Sequence, residues 1–230
     1  MNPLMYNGKR AKVIILLFFV LIAGHVANIF GCFLQVDLLK ELQTSEVSDS
    51  RVNANDLRQQ MIAILNVIVT ILTIIFFIGW FRRAYHNLQR AGSPTMHTEG
   101  WAAGCWFIPL LNLVRPYQIM REIWEDTQEL NASKLERKNT TIVGLWWTFY
   151  LISNIFATIV NRTTDLNTNI DGFIYQTYMD LASSVLEIIS AGLTLYMIKQ
   201  TAQFEEALFE YMDQPAEESE HLLGNIAVGY

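Results

Sequence analysis

Cysteine is scarce in this chain: two residues in 230, Cys32 and Cys105, with no CxxC pair and no Cys/His spacing of the kind that holds zinc. That excludes a disulfide framework and leaves no metal motif to argue from. Charge is scarce as well, at 17% of residues, and the net balance is −6. A nucleic-acid binder needs a basic stripe to neutralise phosphates, so this class is excluded too. Catalytic signatures are missing: there is no HExxH, GxSxG, phosphate-binding loop or GxGxxG. No enzyme and no cofactor are therefore expected. A Ser183 or Ser184, His25 and Asp180 grouping is the one hydrolytic arrangement the residue types allow, and nothing in the sequence fixes its geometry.

What the chain has is apolar surface. Apolar side chains make up 52% of it, which points to a membrane protein rather than an ordinary soluble domain. Four runs are long enough to cross a hydrocarbon core of about 30 Å as helices: residues 13–36, 60–81, 142–160 and 175–198. The first is too long for a signal-peptide core and lacks a clean small-x-small cleavage site, so it reads as a retained anchor. The expected fold is an all-α integral membrane bundle of four transmembrane helices over residues 1–200, followed by an acidic tail over 201–230. Residues 37–59 and 161–174 are expected to be the outer loops.

Between the second and third runs lies GWAAGCWFIPLLNLVRPYQIM, whose apolar part, 100–114, is broken by Gly104, Pro109 and Asn112. A helix of that length reaches only about 21 Å, short of the core. The stretch is expected either to re-enter the bundle with its amides hidden in protein or to lie flat at the interface on Trp101, Trp106 and Phe107. Basic residues support the four-span count. With four spans, twelve of the sixteen Lys and Arg fall on one side and only Lys40, Arg51, Arg58 and Arg162 on the other. The positive-inside bias then places both termini in the cytoplasm of a multi-pass protein of the cell membrane. Arg82 and Arg83, at the inner edge of the second span, read as membrane anchors. That span is expected to continue as a helix to Gly92, with Pro94 as its stop.

Residues 116–131 form an amphipathic pattern. Tyr117, Met120, Ile123, Trp124, Thr127 and Leu130 recur at steps of three and four, opposite Arg121, Glu122, Glu125, Asp126 and Glu129. This helix is expected on the cytoplasmic surface or packed under the bundle, and it and the acidic tail are the surfaces open to a protein partner. The bilayer is the first partner, and a homo-oligomer is left open.

Inside the spans, ionisable groups stand out because a charge at the bilayer centre costs about 2.5 to 3.5 kcal/mol on insertion scales. His25 and Glu187 fall at nearly equal depth. Asn28, Asn66, Asn154, Asp180, Ser183 and Ser184 join them as a candidate polar centre, expected in the outer half of the bundle. Hydrogen bonding between helices is one reading of these residues. A wet pocket for an ion, a proton or a small polar ligand is the other.

The pieces FIGWFRRAYHNLQRAG and GWAAGCWFIPLLNLVRPYQIMREIW together resemble a largely bacterial family of multi-spanning membrane proteins, domain of unknown function 4328. The residues carrying the likeness are Phe81, Arg83, Ala84, Tyr85, Asn87 and Leu88, then Gly100, Trp101, Gly104, Trp106, Phe107, Pro109, Asn112, Arg115, Pro116 and Tyr117, then Glu122 and Trp124. Many relatives carry tryptophan where this chain has Cys105. The resemblance implies an integral membrane fold with this block at its centre and carries no established activity. The expected role is a non-enzymatic sensing or scaffolding module; a small channel or proton-linked carrier using Glu187 and His25 is the alternative.

Overall fold

The computed structural model describes residues 4–131, 136–163 and 169–212. Among them the only regular structure is helical, in the order α1 (Gly8–Thr44), α2 (Asp49–Arg90), α3 (Glu99–Gly104), a 3-10 turn (Cys105–Phe107), α4 (Pro109–Asn112), α5 (Arg115–Leu130), α6 (Thr141–Thr163) and α7 (Ile170–Met212). Four helices, α1, α2, α6 and α7, are long and apolar enough to cross a membrane. Their outward apolar residues, among them Leu16, Phe30, Ile75 and Ile155, are exposed as lipid-facing residues should be. The acidic tail expected over 201–230 starts as helix instead, since α7 runs on to Met212 and buries Phe204 and Leu208; residues 213–230 lie outside the described residues.

Three of the long helices outrun the bilayer. α1, α2 and α7 have 37, 42 and 43 residues, which at 1.5 Å per residue is about 55 to 65 Å, roughly twice the hydrocarbon core. The expected outer loop at 37–59 is therefore helix almost throughout, and only residues 45–48 turn the chain. The physical reason is that no Gly or Pro interrupts the sequence between Gly31 and Gly79, while LLKELQ is made of good helix formers. Arg51 closes the hairpin by donating to both carboxylate oxygens of Glu41, at 2.6 and 2.8 Å. We call this end the hairpin side, and the end holding Gly8, Arg90 and Met212 the terminal side.

α2 stops where Gly92 and Pro94 imply. Gly92 adopts φ 89°, which only glycine takes without strain, and Ser93 N returns to Leu88 O at 3.3 Å. The chain then folds back through α3 and α4 against the terminal ends of α2 and α6. Trp80, Phe81, Tyr85, Leu88, Ile119, Met120, Ile123, Trp124, Trp146 and Ile198 are all essentially inaccessible there. The best-packed core thus lies at the terminal side of the bundle.

α5 takes the packed position of the two expected of it. Its apolar face is spent inside the chain: Ile123 and Trp124 are fully buried, and the Trp124 ring meets Phe204 of α7 edge-on at 5.2 Å. Glu122, placed by periodicity on the polar side, is buried too.

Candidate functional site

α1 and α7 run side by side, which brings the two ionisable groups of the spans together. His25 Nε2 donates to Glu187 Oε2 at 2.8 Å, with the imidazole 10% exposed and the carboxylate 32%. Ser183, one turn along α7, donates to the other carboxylate oxygen at 3.4 Å. On the hairpin side of this pair, Asn28 Nδ2 donates to Ser184 Oγ at 2.9 Å, and Asn66 Nδ2 reaches Gly24 O at 3.4 Å. Gly24 leaves the space that Asn66 Oδ1 occupies, and a Cβ there would push the Asn66 amide aside. These contacts tie α1 to α2 and α7 directly. Asp180 stands apart, accepting from Gln176 at 3.3 Å. Asn154 is exposed and donates to Tyr150 O of its own helix at 2.7 Å, and it lines the same cavity as Glu187 and His25.

A cavity of about 330 Å³ opens beside the His25–Glu187 pair and extends toward the terminal side. Phe18, Phe77, Trp146 and Tyr150 give it aromatic walls, while Thr73, Ser153, Ser190 and Thr194 add hydroxyls. Three of those hydroxyls donate elsewhere: Thr73 to Val69 O at 2.7 Å, Ser153 to Tyr150 O at 3.0 Å and Thr194 to Ser190 O at 2.8 Å. None of Asn28, Asn66, Ser183 or Ser184 lines the space. The polar centre therefore has two layers, a directly bonded one on the hairpin side and an open one beneath it.

The segment expected to re-enter or lie flat supplies one end of that cavity through Trp106, Phe107 and Asn112. Trp106 sits in an aromatic cluster, with ring centroids 5.5 Å from Phe77, 5.7 Å from Phe81, 6.1 Å from Trp147 and 5.9 Å from Tyr150. Phe77 is about 7 Å along α2 from Arg82, the first charge past the span. The opposite edge of the segment faces outward, with Leu110 at 80% and Leu113 at 50% exposure. Trp147 Nε1 holds Leu113 O at 3.0 Å, and the Arg115 guanidinium lies 4.0 Å over the Trp101 ring. Two buried atoms here, Trp106 Nε1 and Asn112 Oδ1, have no protein hydrogen-bond partner. They are a donor and an acceptor beside the same cavity.

The remaining motif residues organise the terminal side. Tyr85 OH donates to Glu122 Oε2 at 2.7 Å, accepts from His97 N at 3.0 Å, and shares the carboxylate with Met96 N at 3.1 Å. Tyr85 lies beyond the span, and its burial, with the Glu122 hydrogen bond second, raises the phenol above its usual range. Asn87 pairs with the backbone of Met5 in both directions, at 2.9 and 2.8 Å, and donates to Glu205 Oε1 at 3.0 Å. Asn7 Nδ2 meets the other oxygen of Glu205 at 2.9 Å. Arg83 approaches Met5 Sδ. Pro116 is buried near the start of α5, Tyr117 packs partly buried against the core, and Gly100 and Gly104 lie on α3 with Pro109 opening α4. Sequence reasoning marked Tyr85, Asn87 and Glu122 through the family likeness, but it gave no sign of Glu205 or Asn7, whose partners lie at least 73 residues away.

No curated protein and no solved structure matches the chain. A family model described as domain of unknown function (DUF4328) matches residues 43–203, a stretch that holds the Tyr85–Glu122 tie, the Trp106 cluster and Glu187. Since that match covers most of the chain and contains the block on which the terminal-side core is built, the protein belongs to the DUF4328 family.

Proposed function

We propose that the protein is a non-enzymatic membrane sensor that binds a small amphipathic molecule in the cavity beside the His25–Glu187 pair, from the cytoplasmic half of the bilayer. The observation that carries this reading is the unpartnered pair Trp106 Nε1 and Asn112 Oδ1 beside an aromatic space of about 330 Å³. Buried polar atoms are nearly always satisfied, so an unpartnered donor and acceptor on residues that line a cavity favour a ligand offering the complementary groups. The ligand class is an aromatic or short aliphatic body carrying a hydroxyl or amide.

Two features favour binding over transport. His25 and Glu187 bond to each other, and the cavity lining stops at their level, where the Asn28–Ser184 bond begins. A carrier needs access from both faces. Non-enzymatic action is favoured because His25 Nε2 is engaged by Glu187 and not by a serine nucleophile. The floor segment runs directly into α5, so its displacement by a ligand would move a helix at the proposed cytoplasmic surface. In this reading residues 100–114 act as a shallow re-entrant wedge. Partner contact falls to the Arg121 and Glu125 face of α5, since the apolar face is occupied.

The test uses phenol as probe on the full-length protein in detergent. The expected result is a saturable rise in melting temperature that Ala191→Phe, which fills the cavity, removes. A rise of equal size in both proteins, or none in the parent, contradicts the proposal. In sealed vesicles, proton flux that disappears in Glu187→Gln would instead establish the carrier.

A further inference from the structure

At the terminal end of the α1–α2 groove three arginines converge outside the site just described. Arg10 of α1 crosses to α2 and donates to Gly79 O at 2.9 Å. Arg82 and Arg83 follow one and a half turns or less along the same helix. With Met5, His86 and Glu99 these residues line a surface pocket of about 310 Å³. Glu99 is the one carboxylate in the lining, and it is already divided: Arg82 Nη2 donates to one oxygen at 3.2 Å, and His86 Nδ1 contacts the other. Among the described residues Arg10 and Arg83 lie in no salt bridge. Glu205 feels the charge of Arg83, and its oxygens are held by Asn7 and Asn87. Burial lowers the Arg83 guanidinium from its usual range, and the charges of Arg10, Arg90 and Arg82 add to the effect. Positive charge is therefore in excess at this spot.

Its position decides the ligand. The apolar run of α2 ends at Phe81 and that of α1 begins at Val13, so the pocket sits at the level of lipid phosphates. Directly below it, Val13 on α1 and Ile75 and Phe76 on α2 are exposed at helical steps of three and four from Arg10 and Gly79. A ligand here meets guanidinium groups with its head and aliphatic groove with its tail. Guanidinium forks match phosphate oxygens in pairs, which a single ammonium does not.

We propose that Arg10, Arg82 and Arg83 form a binding site for the phosphodiester headgroup of an anionic membrane phospholipid, whose acyl chain lies along Val13, Ile75 and Phe76. The site joins the N-terminal end of α1 to α2 through a lipid. Glu99 tunes it by holding Arg82 when no headgroup is present.

The experiment titrates full-length protein in dodecyl maltoside with dioleoyl phosphatidylglycerol or dioleoyl phosphatidylcholine and counts retained lipids by native mass spectrometry. The expected result is selective retention of phosphatidylglycerol, weakened about fivefold by Arg10→Gln and about fivefold by Arg83→Gln, as one cationic side chain at a lipid surface contributes. Arg121→Gln, on the exposed face of α5, leaves retention unchanged. Glu99→Gln strengthens it, which a variant that merely failed to fold would not do. Equal retention of both lipids, or indifference to Arg10 and Arg83, overturns the assignment. Competition by inorganic phosphate at the lipid's own concentration also overturns it, and makes free phosphate the ligand.

Discussion

Tyr85→Phe isolates one hydroxyl at almost constant volume, so it tests the terminal-side network without opening a cavity. The hydroxyl donates to Glu122 Oε2 at 2.7 Å and accepts from His97 N at 3.0 Å. Tyr85 is buried and Glu122 is close to it at 8% exposure, so water replaces neither contact easily. A hydrogen bond to a charged group contributes about 1.5 to 3 kcal/mol, and a stranded backbone donor adds about 1 kcal/mol, for a total of about 3 kcal/mol. Met96 N still bonds to Glu122, which limits the damage to one end of the loop. At about 2 to 4 °C per kcal/mol for a chain of this size, the melting temperature in detergent should fall by about 6 to 12 °C. Hydrogen exchange gives the local readout: His97 N loses protection while Met96 N keeps most of it. A fall under about 2 °C, with His97 protection unchanged, would refute the view that this hydroxyl anchors the α2–α3 connection.

Two further outcomes follow from the contacts. Gly24→Ala turns the Asn66 amide from its place and costs about 1 kcal/mol, the worth of its hydrogen bond to Gly24 O; Asn66→Ala should lower the melting temperature by the same amount and the double variant by no more, and additive losses would contradict this. Glu205 lies seven residues beyond the apolar run of α7, and burial raises its carboxyl to about 7 against the hydrogen bonds of Asn7 and Asn87 and the charge of Arg83. A folded-state value above the unfolded one means the folded chain binds the extra proton. Stability of the N-terminal docking should therefore fall as pH rises from about 4.5 to about 7. Hydrogen exchange at Met5 N should speed up across that range and become flat in Glu205→Gln; a flat profile in the parent protein would contradict this.

The sequence made the spans legible because lipid leaves only one solution for backbone polar groups, and long apolar runs betray it. It hid the length of α1 and α2. Residues 37–59 are polar, which suggested a loop, yet polar helix formers without Gly or Pro simply continue a helix into water. His25 and Glu187 were legible as a pair because equal depth on two spans is a one-dimensional property. Asn154 was legible in part: depth put it near the pair and it lines the cavity beside Glu187, but its amide donates to Tyr150 O of its own helix, which depth alone does not reveal. The cavity was also illegible, since it arises from how Trp106 and Asn112 meet residues of all four spans. Glu122 shows the limit of periodicity, for a carboxylate on the polar arc of α5 is buried once Tyr85 arrives to bond it.

The account stands or falls on whether the space between Trp106 and Glu187 takes up a ligand. Tryptophan fluorescence of the full-length protein, titrated with 4-bromophenol, measures this directly, because bromine quenches only at contact and Trp106 and Trp146 line the space. The account predicts a saturable quenching component that disappears in Ala191→Phe, leaving the linear quenching of lipid-partitioned probe. Linear, unsaturable quenching of the same slope in both proteins would contradict it.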